Sequence, residues 1–263
     1  MKKLTATVAI ASVLALSANP VFSEEETFIS FTPRAWFATL DQPFEDAASY
    51  ESFSLPMYGA TLAVTPSFSP NTSYLLTFLT GEGEADGVFF WGEDATLDAD
   101  RSDVELLIRH VFANTNFSLY GGARYVEYDS KEAGTVLYNP MPGVTDVYRT
   151  KSHTDLVAAE LGVGATANIT QSGRHRFFSN FTFGVAWSDW EWEDNEGGDE
   201  WGDDVGEMID FNAGYQYAVG DHFGLSARYR IFTIKQTTAI ADADEQDKYI
   251  TIHGPELSFT ATF

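Results

Sequence analysis

The stretch Glu256-Leu257-Ser258-Phe259-Thr260-Ala261-Thr262-Phe263 decides the fold. Successive side chains of an extended strand point to opposite faces. Leu257, Phe259, Ala261 and Phe263 therefore share one face, and Glu256, Ser258, Thr260 and Thr262 share the other. The same alternation recurs upstream. In 206–219, Ile209, Phe211, Ala213, Tyr215, Tyr217 and Val219 oppose Asp210, Asn212, Gly214 and Gln216. In 153–169, Val157, Ala159, Leu161, Val163, Ala165, Ala167 and Ile169 oppose Glu160, Gly162, Gly164, Thr166 and Asn168. In 174–191, Phe177, Phe181, Phe183, Val185 and Trp187 oppose Asn180, Thr182, Gly184, Ala186 and Ser188.

Extending this pattern along the chain predicts strands over 28–39, 55–67, 72–80, 102–113, 116–129, 153–169, 174–191, 206–219, 222–236 and 248–263. The connections alternate in length. Phe68-Ser69-Pro70-Asn71, Asn114-Thr115, Thr170-Gln171-Ser172-Gly173 and Gly220-Asp221 are short and rich in turn formers. Segments 40–54, 81–101, 130–152, 192–205 and 237–247 are long. Eight or twelve strands would require merging or splitting a unit. The candidate split is 130–152, where Thr135–Asn139 and Val144–Arg149 flank Pro140-Met141-Pro142-Gly143, and it reads as a hairpin outside the barrel.

Past the N-terminus no stretch approaches the ~18 consecutive apolar residues of a transmembrane helix. A chain that crosses lipid without such helices must form a closed barrel, because hydrocarbon cannot satisfy open backbone groups. A soluble barrel would put the apolar face inward. The strand lengths, the aromatic content and the terminal strand argue for the apolar face in lipid. Tyr74, Phe78, Phe112, Tyr125, Tyr128, Trp187 and Tyr217 fall near strand ends, as interfacial aromatics do.

Alternation ending on Phe263 resembles the closing strand of bacterial outer-membrane β-barrel proteins. The resemblance implies an all-β fold: one antiparallel up-and-down transmembrane barrel. It also implies that Leu257, Phe259 and Phe263 act as the assembly signal, read by the barrel assembly machinery. With ten strands the termini would be periplasmic and the long loops extracellular, facing lipopolysaccharide. Lys2-Lys3, the apolar run Leu4–Leu16 and Val21-Phe22-Ser23 read as a secretory signal peptide over 1–23, leaving a barrel domain over 24–263. The chain has no cysteine, so packing and ladder hydrogen bonds must stabilise it.

The formal charge is −24; setting aside Lys2 and Lys3 leaves 13 basic against 39 acidic residues, a balance of −26. That argues against nucleic acid as a partner. By parity, Arg34, Glu105, Arg109, Arg124, Glu160, Arg228, Arg230 and Glu256 point into the lumen. Two readings stay open. Either these charges pair into a plug, or they line a narrow passive pore selective for anionic or zwitterionic solutes.

The long connections are acidic. Glu93, Asp94, Asp98 and Asp100 lie in one, and Asp194, Glu196, Asp199, Glu200, Asp203 and Asp204 in another. Such oxygens suit a divalent cation such as calcium, or a partner at the surface, but lack EF-hand spacing. No other cofactor is expected, and the sequence leaves the oligomeric state open. Trp190, Trp192 and Trp201 stand among these acids as girdle or glycan-binding candidates. Ten-stranded barrels include the omptin proteases, whose site joins an acidic pair to an Asp-His pair. Asp98/Asp100, Asp242/Asp244 and His153/Asp155 offer the parts, but no Asp-x-His stands in the fourth long loop. The lipid A deacylase barrels use a lipid-facing His/Ser pair; Ser152 and His153 are adjacent and so face opposite ways. No enzyme activity is expected.

Overall fold

The computed structural model describes residues 27–41, 48–50, 52–89, 94–137, 145–195, 197–238 and 246–263. The expected signal segment, Glu93, Glu196 and the Asp242/Asp244 pair lie outside these residues. Among the described residues all regular structure is strand: β1 (Phe28–Asp41), β2 (Ala48–Tyr50), β3 (Phe53–Thr65), β4 (Thr72–Phe89), β5 (Asp94–Val111), β6 (Phe117–Leu137), β7 (Thr145–Asn168), β8 (His175–Asp194), β9 (Asp199–Ala218), β10 (Phe223–Thr238) and β11 (Gln246–Thr262). Sequential neighbours from β3 to β11 pair antiparallel, and β1 lies between β11 and β3. The sheet thus closes into a ten-stranded up-and-down barrel, with β2 pairing only along Gly87–Phe89 of β4. At the seam, Ser30 lies opposite Thr262 and Trp36 opposite Glu256. Ile29 and Phe263 exchange backbone hydrogen bonds of 3.1 and 2.8 Å.

Four tight turns join the strands at the end where β1 begins and β11 finishes. Thr72 N donates to Ser69 O, and Gly173 N to Thr170 O. Asn114 (φ 59°), Gly173 (φ 66°) and Gly220 (φ 91°) adopt the left-handed backbone these turns need, a region open chiefly to Gly and Asn.

On the outer face β4 to β9 run apolar from the short turns up to Phe78, Val104, Tyr125, Val157, Trp187 and Ile209, and then become largely acidic. Phe183, Phe211 and Leu161 are among many large apolar side chains that stay exposed there. An exposed band of this kind is built for hydrocarbon.

The structure departs from expectation in three respects. Segments expected as long loops are largely strand: the β4–β5 ladder continues to Val88 opposite Asp94, and β6–β7 to Leu137 opposite Thr145. Their acids are compatible with strand because they occupy one face only. Glu82, Glu84, Asp98 and Asp100 face out while Ala85, Leu97 and Ala99 face in and are buried. Second, next to the charged lumen residues the bore holds a buried apolar layer that includes Trp36, Leu40, Leu97 and Phe232, where a polar lumen was expected. Third, Tyr128, expected at the interface, turns inward against that apolar core.

Candidate functional site

The inward side chains form three tiers. Read from the long-connection end, β1 presents Leu40, Ala38 and Trp36, then Arg34, then Thr32. β10 presents Ile234 and Phe232, then Arg230 and Arg228, then Ser226. On β9 the order is Met208, Asp210, Asn212, and on β7 it is Leu156, Ala158, Glu160. Trp36, Leu40, Leu55, Met57, Met208, Phe232 and Ile252 are each 0 % exposed, so the apolar tier fills the bore.

The middle tier is ion-paired. Arg34 grips Glu256 with two bonds, Nε to Oε1 at 2.6 Å and Nη2 to Oε2 at 3.0 Å. Arg228 Nη2 shares Oε1 of the same carboxylate at 2.6 Å. Arg124 on β6 reaches across the lumen to Asp210 on β9 at 2.7 Å, bonds Glu105 on β5, and lies 3.6 Å from Glu160 on β7. Asp210 in turn holds Arg230 through Nε at 3.1 Å. Arg101 and Asp103 form a separate two-bonded pair. The two upper tiers are joined by cation–π contacts: Arg101 and Arg124 lie 4.5 and 4.9 Å from the Phe232 ring centre, and Arg230 lies 4.6 Å from that of Trp36.

All eight charges assigned to the lumen by parity point inward, and seven of them form ion pairs. Arg109 is the exception. It has no ion pair among the described residues, its Nε is buried without a hydrogen-bond partner, and it lies over the Tyr120 ring at 5.7 Å. Sequence reasoning omitted Arg101, Asp103 and Asp210 from the charged set. Asp103 and Asp210 already stood on the inward side of their expected strands, and Arg101 was hidden because 81–101 reads as a loop.

The third tier surrounds a cavity of ≈ 250 Å³ lined by Thr32, Thr61, Thr77, Ser226, Ser258 and Thr260, among others. It adjoins a mouth at the short-turn end through Gln216 and Thr260.

The loop acids divide. Asp98, Asp100, Asp199 and Asp203 face out and are exposed. Asp194 and Asp204 stand on the opposite parity, and Asp194 Oδ1 accepts from Gly198 N at 2.6 Å, fixing the β8–β9 turn. The backbones of Asp94 and Glu200 belong to β5 and β9. Beyond the apolar band, carboxylates oppose one another across neighbouring strands. Glu82 faces Asp100, Asp100 faces Asp129, Asp155 faces Asp189, and Asp189 faces Asp203.

In this outer wall His153 Nδ1 lies 2.6 Å from Asp129 Oδ1, and Nε2 lies 3.3 Å from Asp155 Oδ2. The Tyr125 hydroxyl donates to Asp155. Glu127, Asp129 and His153 place one potential ligand atom each within 4.8 Å of one another. The contacts are those of a protonated imidazole between two carboxylates. Burial lowers the His153 pKa, but its bonds to Asp129 and Asp155 and their charges outweigh that and raise it above 6.5. Glu127 and Asp129 were not singled out from sequence; only the β6–β7 register brings them to His153.

The parts that resembled an omptin site do not face a cleft. Asp98/Asp100 and His153/Asp155 lie on the outer wall, while the inward neighbours Leu97, Ala99 and Leu156 are apolar. Ser152 faces inward and bonds Ser130 at 2.7 Å, away from His153.

No protein-family model and no curated protein matches the sequence. Among solved structures, the outer membrane protease OmpT from Escherichia coli is similar with a TM-score of 0.59 at 10% identity, covering 93% of this chain and 99% of that one. The translocator domain of autotransporter NalP from Neisseria meningitidis matches with a TM-score of 0.49 at 10% identity, covering 98% and 96%. At such identity the likeness to the first concerns the fold alone, a closed antiparallel β-barrel.

Two expected outcomes follow from the site. Arg124→Met leaves Glu105, Glu160 and Asp210 facing one another, and a broken buried charge set costs about 3–5 kcal/mol. Denaturant titration in lipid vesicles should show that loss, and adding Glu160→Gln should recover part of it. For His153, a raised folded pKa contributes stability fully below pH 6.5 and loses it as pH rises through the folded pKa. The stability gap between wild type and His153→Asn should therefore shrink over that rise, with the imidazole resonances titrating above 6.5.

Proposed function

We propose that the chain is a non-conducting integral outer-membrane barrel, a rigid support that carries its working surface at the long-connection end. The tight turns and both strand termini are assigned to the periplasm, and the strand extensions to the exterior. One observation carries this reading: the bore is filled by two successive tiers. Trp36, Phe232, Met57 and Met208 are fully buried, and Arg124 bonds carboxylates from different sides of the lumen. A ten-stranded barrel is only slightly wider than the eight-stranded size whose interior side chains fill. The interior charges therefore act as a plug. Leu257 and Phe259 on β11, and Phe263 just after it, lie exposed on the outer face, available to the assembly machinery.

OmpT is a protease, so catalysis is the alternative to weigh. The outward, cleft-free placement of His153, Asp155, Asp98 and Asp100 supports a non-enzymatic role. In planar bilayers residues 24–263, shown folded by heat-modifiable gel mobility, should give no discrete conductance steps. Reproducible openings would overturn the plug.

A second reading concerns what the support presents. Like charges directly opposite on neighbouring strands are destabilising. The pairs Glu82–Asp100, Asp100–Asp129 and Asp189–Asp203 would be relieved by divalent cations shared with lipopolysaccharide phosphates. This reading requires that chelating calcium and magnesium lower the thermal unfolding temperature in lipopolysaccharide-containing vesicles. It also requires that Asp100→Asn with Asp129→Asn reduce that sensitivity. An unchanged unfolding temperature would reject it.

A further inference from the structure

We propose that the cavity at the short-turn end is a binding site for a small phosphate-like oxyanion, with Arg109 as its principal receptor. The charge balance of the lumen points there. Between the apolar tier and the mouth, the described residues that face inward include six arginines (Arg34, Arg101, Arg109, Arg124, Arg228 and Arg230) against five carboxylates (Asp103, Glu105, Glu160, Asp210 and Glu256). Each of these carboxylates lies within 4 Å of an arginine nitrogen. Arg109 is left over, and it lines the cavity. A guanidinium held in a protein interior without a counter-charge is costly, and an oxyanion from solution is the complement that fits its planar fork of donors.

The surroundings suit that ligand. Four arginines line the cavity (Arg34, Arg109, Arg228 and Arg230) against Glu105 and Asp210. Both of those acids already accept from Arg124, and Asp210 also from Arg230. The Nε of Arg228 is buried without a partner, as is that of Arg109. A hydrogen-bonded belt holds the wall between them. The Tyr120 hydroxyl donates to Asn180 Oδ1 at 2.9 Å, and Asn180 Nδ2 donates to Asn212 Oδ1 at 2.9 Å. Arg228 Nη1 donates to the same Asn212 oxygen at 3.5 Å. The rest of the wall is largely hydroxyl. Arg174, Arg176 and His222 line the adjoining mouth against the single acid Asp221. A chain of net charge −24 thus presents a basic entrance at one end. The charged and apolar tiers stop the cavity at its inner end, so it is a pocket entered from the short-turn side. This inference does not depend on which compartment that end faces.

The test is a titration of the full folded chain in detergent micelles with inorganic phosphate, at ionic strength held constant with chloride. Arginine Nε–H resonances are followed by ¹⁵N NMR. The expected result is a saturable shift confined to Arg109 and Arg228, with affinity at least tenfold weaker in Arg109→Gln. A parallel titration with acetate separates a phosphate site from a carboxylate site; equal affinity for acetate would overturn the phosphate assignment. No shift, or equal shifts at all arginines including those of the mouth, would overturn the site itself. If Arg109→Gln fails to show heat-modifiable mobility, the wild-type resonances decide alone, because only a bound oxyanion moves the two interior signals selectively.

Discussion

Hydrocarbon offers no hydrogen bonds, so a sheet immersed in it can leave no strand edge unpaired. The β1–β11 seam is where this constraint is met. Eight residues of β1, from Ser30 to Asp41, find Cα partners on β11, and Ile29 and Phe263 complete the ladder with reciprocal backbone bonds. Once the ladder closes, every strand has one face in the surroundings and one in the bore. Phe259 and Leu257 are then obliged to face outward and Glu256 inward. A one-residue slip at the seam would exchange those faces and put the Glu256 carboxylate into lipid.

Closure at ten strands creates the next problem, which is what fills the bore. Purely polar filling would leave many buried donors and acceptors to satisfy, and purely apolar filling would do nothing to fix the register. The protein uses both in sequence. The apolar tier packs side chains such as Leu40, Met57 and Met208 without polar demands. Below it, Arg124 ties β5 and β9 to β6, while Glu256 ties β1 and β10 to β11. These ties add specificity more than net stability, since desolvating charges offsets much of their attraction. Phe232 and Trp36 make the tiers cohere, because each ring is apolar above and a cation partner below.

Much of this was legible because parity is a local property. The outward faces of 157–169, 177–187 and 209–219 follow from alternate letters, and the turns from Pro70, Asn71, Gly173 and Gly220. Local density of acid misled where it resembled loop composition. Glu82, Glu84, Asp98 and Asp100 stand on strands whose other face, Ala85, Leu97 and Ala99, is buried. Taking only the charged inward positions likewise hid the apolar tier, although Leu40-x-Ala38-x-Trp36 lies on the same parity as Arg34. What no single strand contains is register. The meeting of Asp129 with His153, or of Arg124 with Asp210, is set by hairpins and by curvature across the lumen, and neither leaves a mark on adjacent letters.

The net charge conceals a separation of sign. Acid collects on the outer wall beyond the apolar band, where water screens it and neighbouring strands place carboxylates opposite one another. Base collects inside and at the short-turn mouth, where burial forces almost every arginine to take a carboxylate. The two populations face different media and answer to different constraints. The wall tolerates repulsion because solvent and mobile cations reach it, whereas the lumen must balance its charges nearly one for one. Between the apolar tier and the mouth, every described inward charge has an ion pair except Arg109, and that residue lines the cavity at the accessible end rather than the packed tiers. An uncompensated cation placed at the accessible end of an otherwise neutralised interior differs physically from one trapped in its middle. It can exchange a counter-ion without disturbing the tiers that hold the barrel in register.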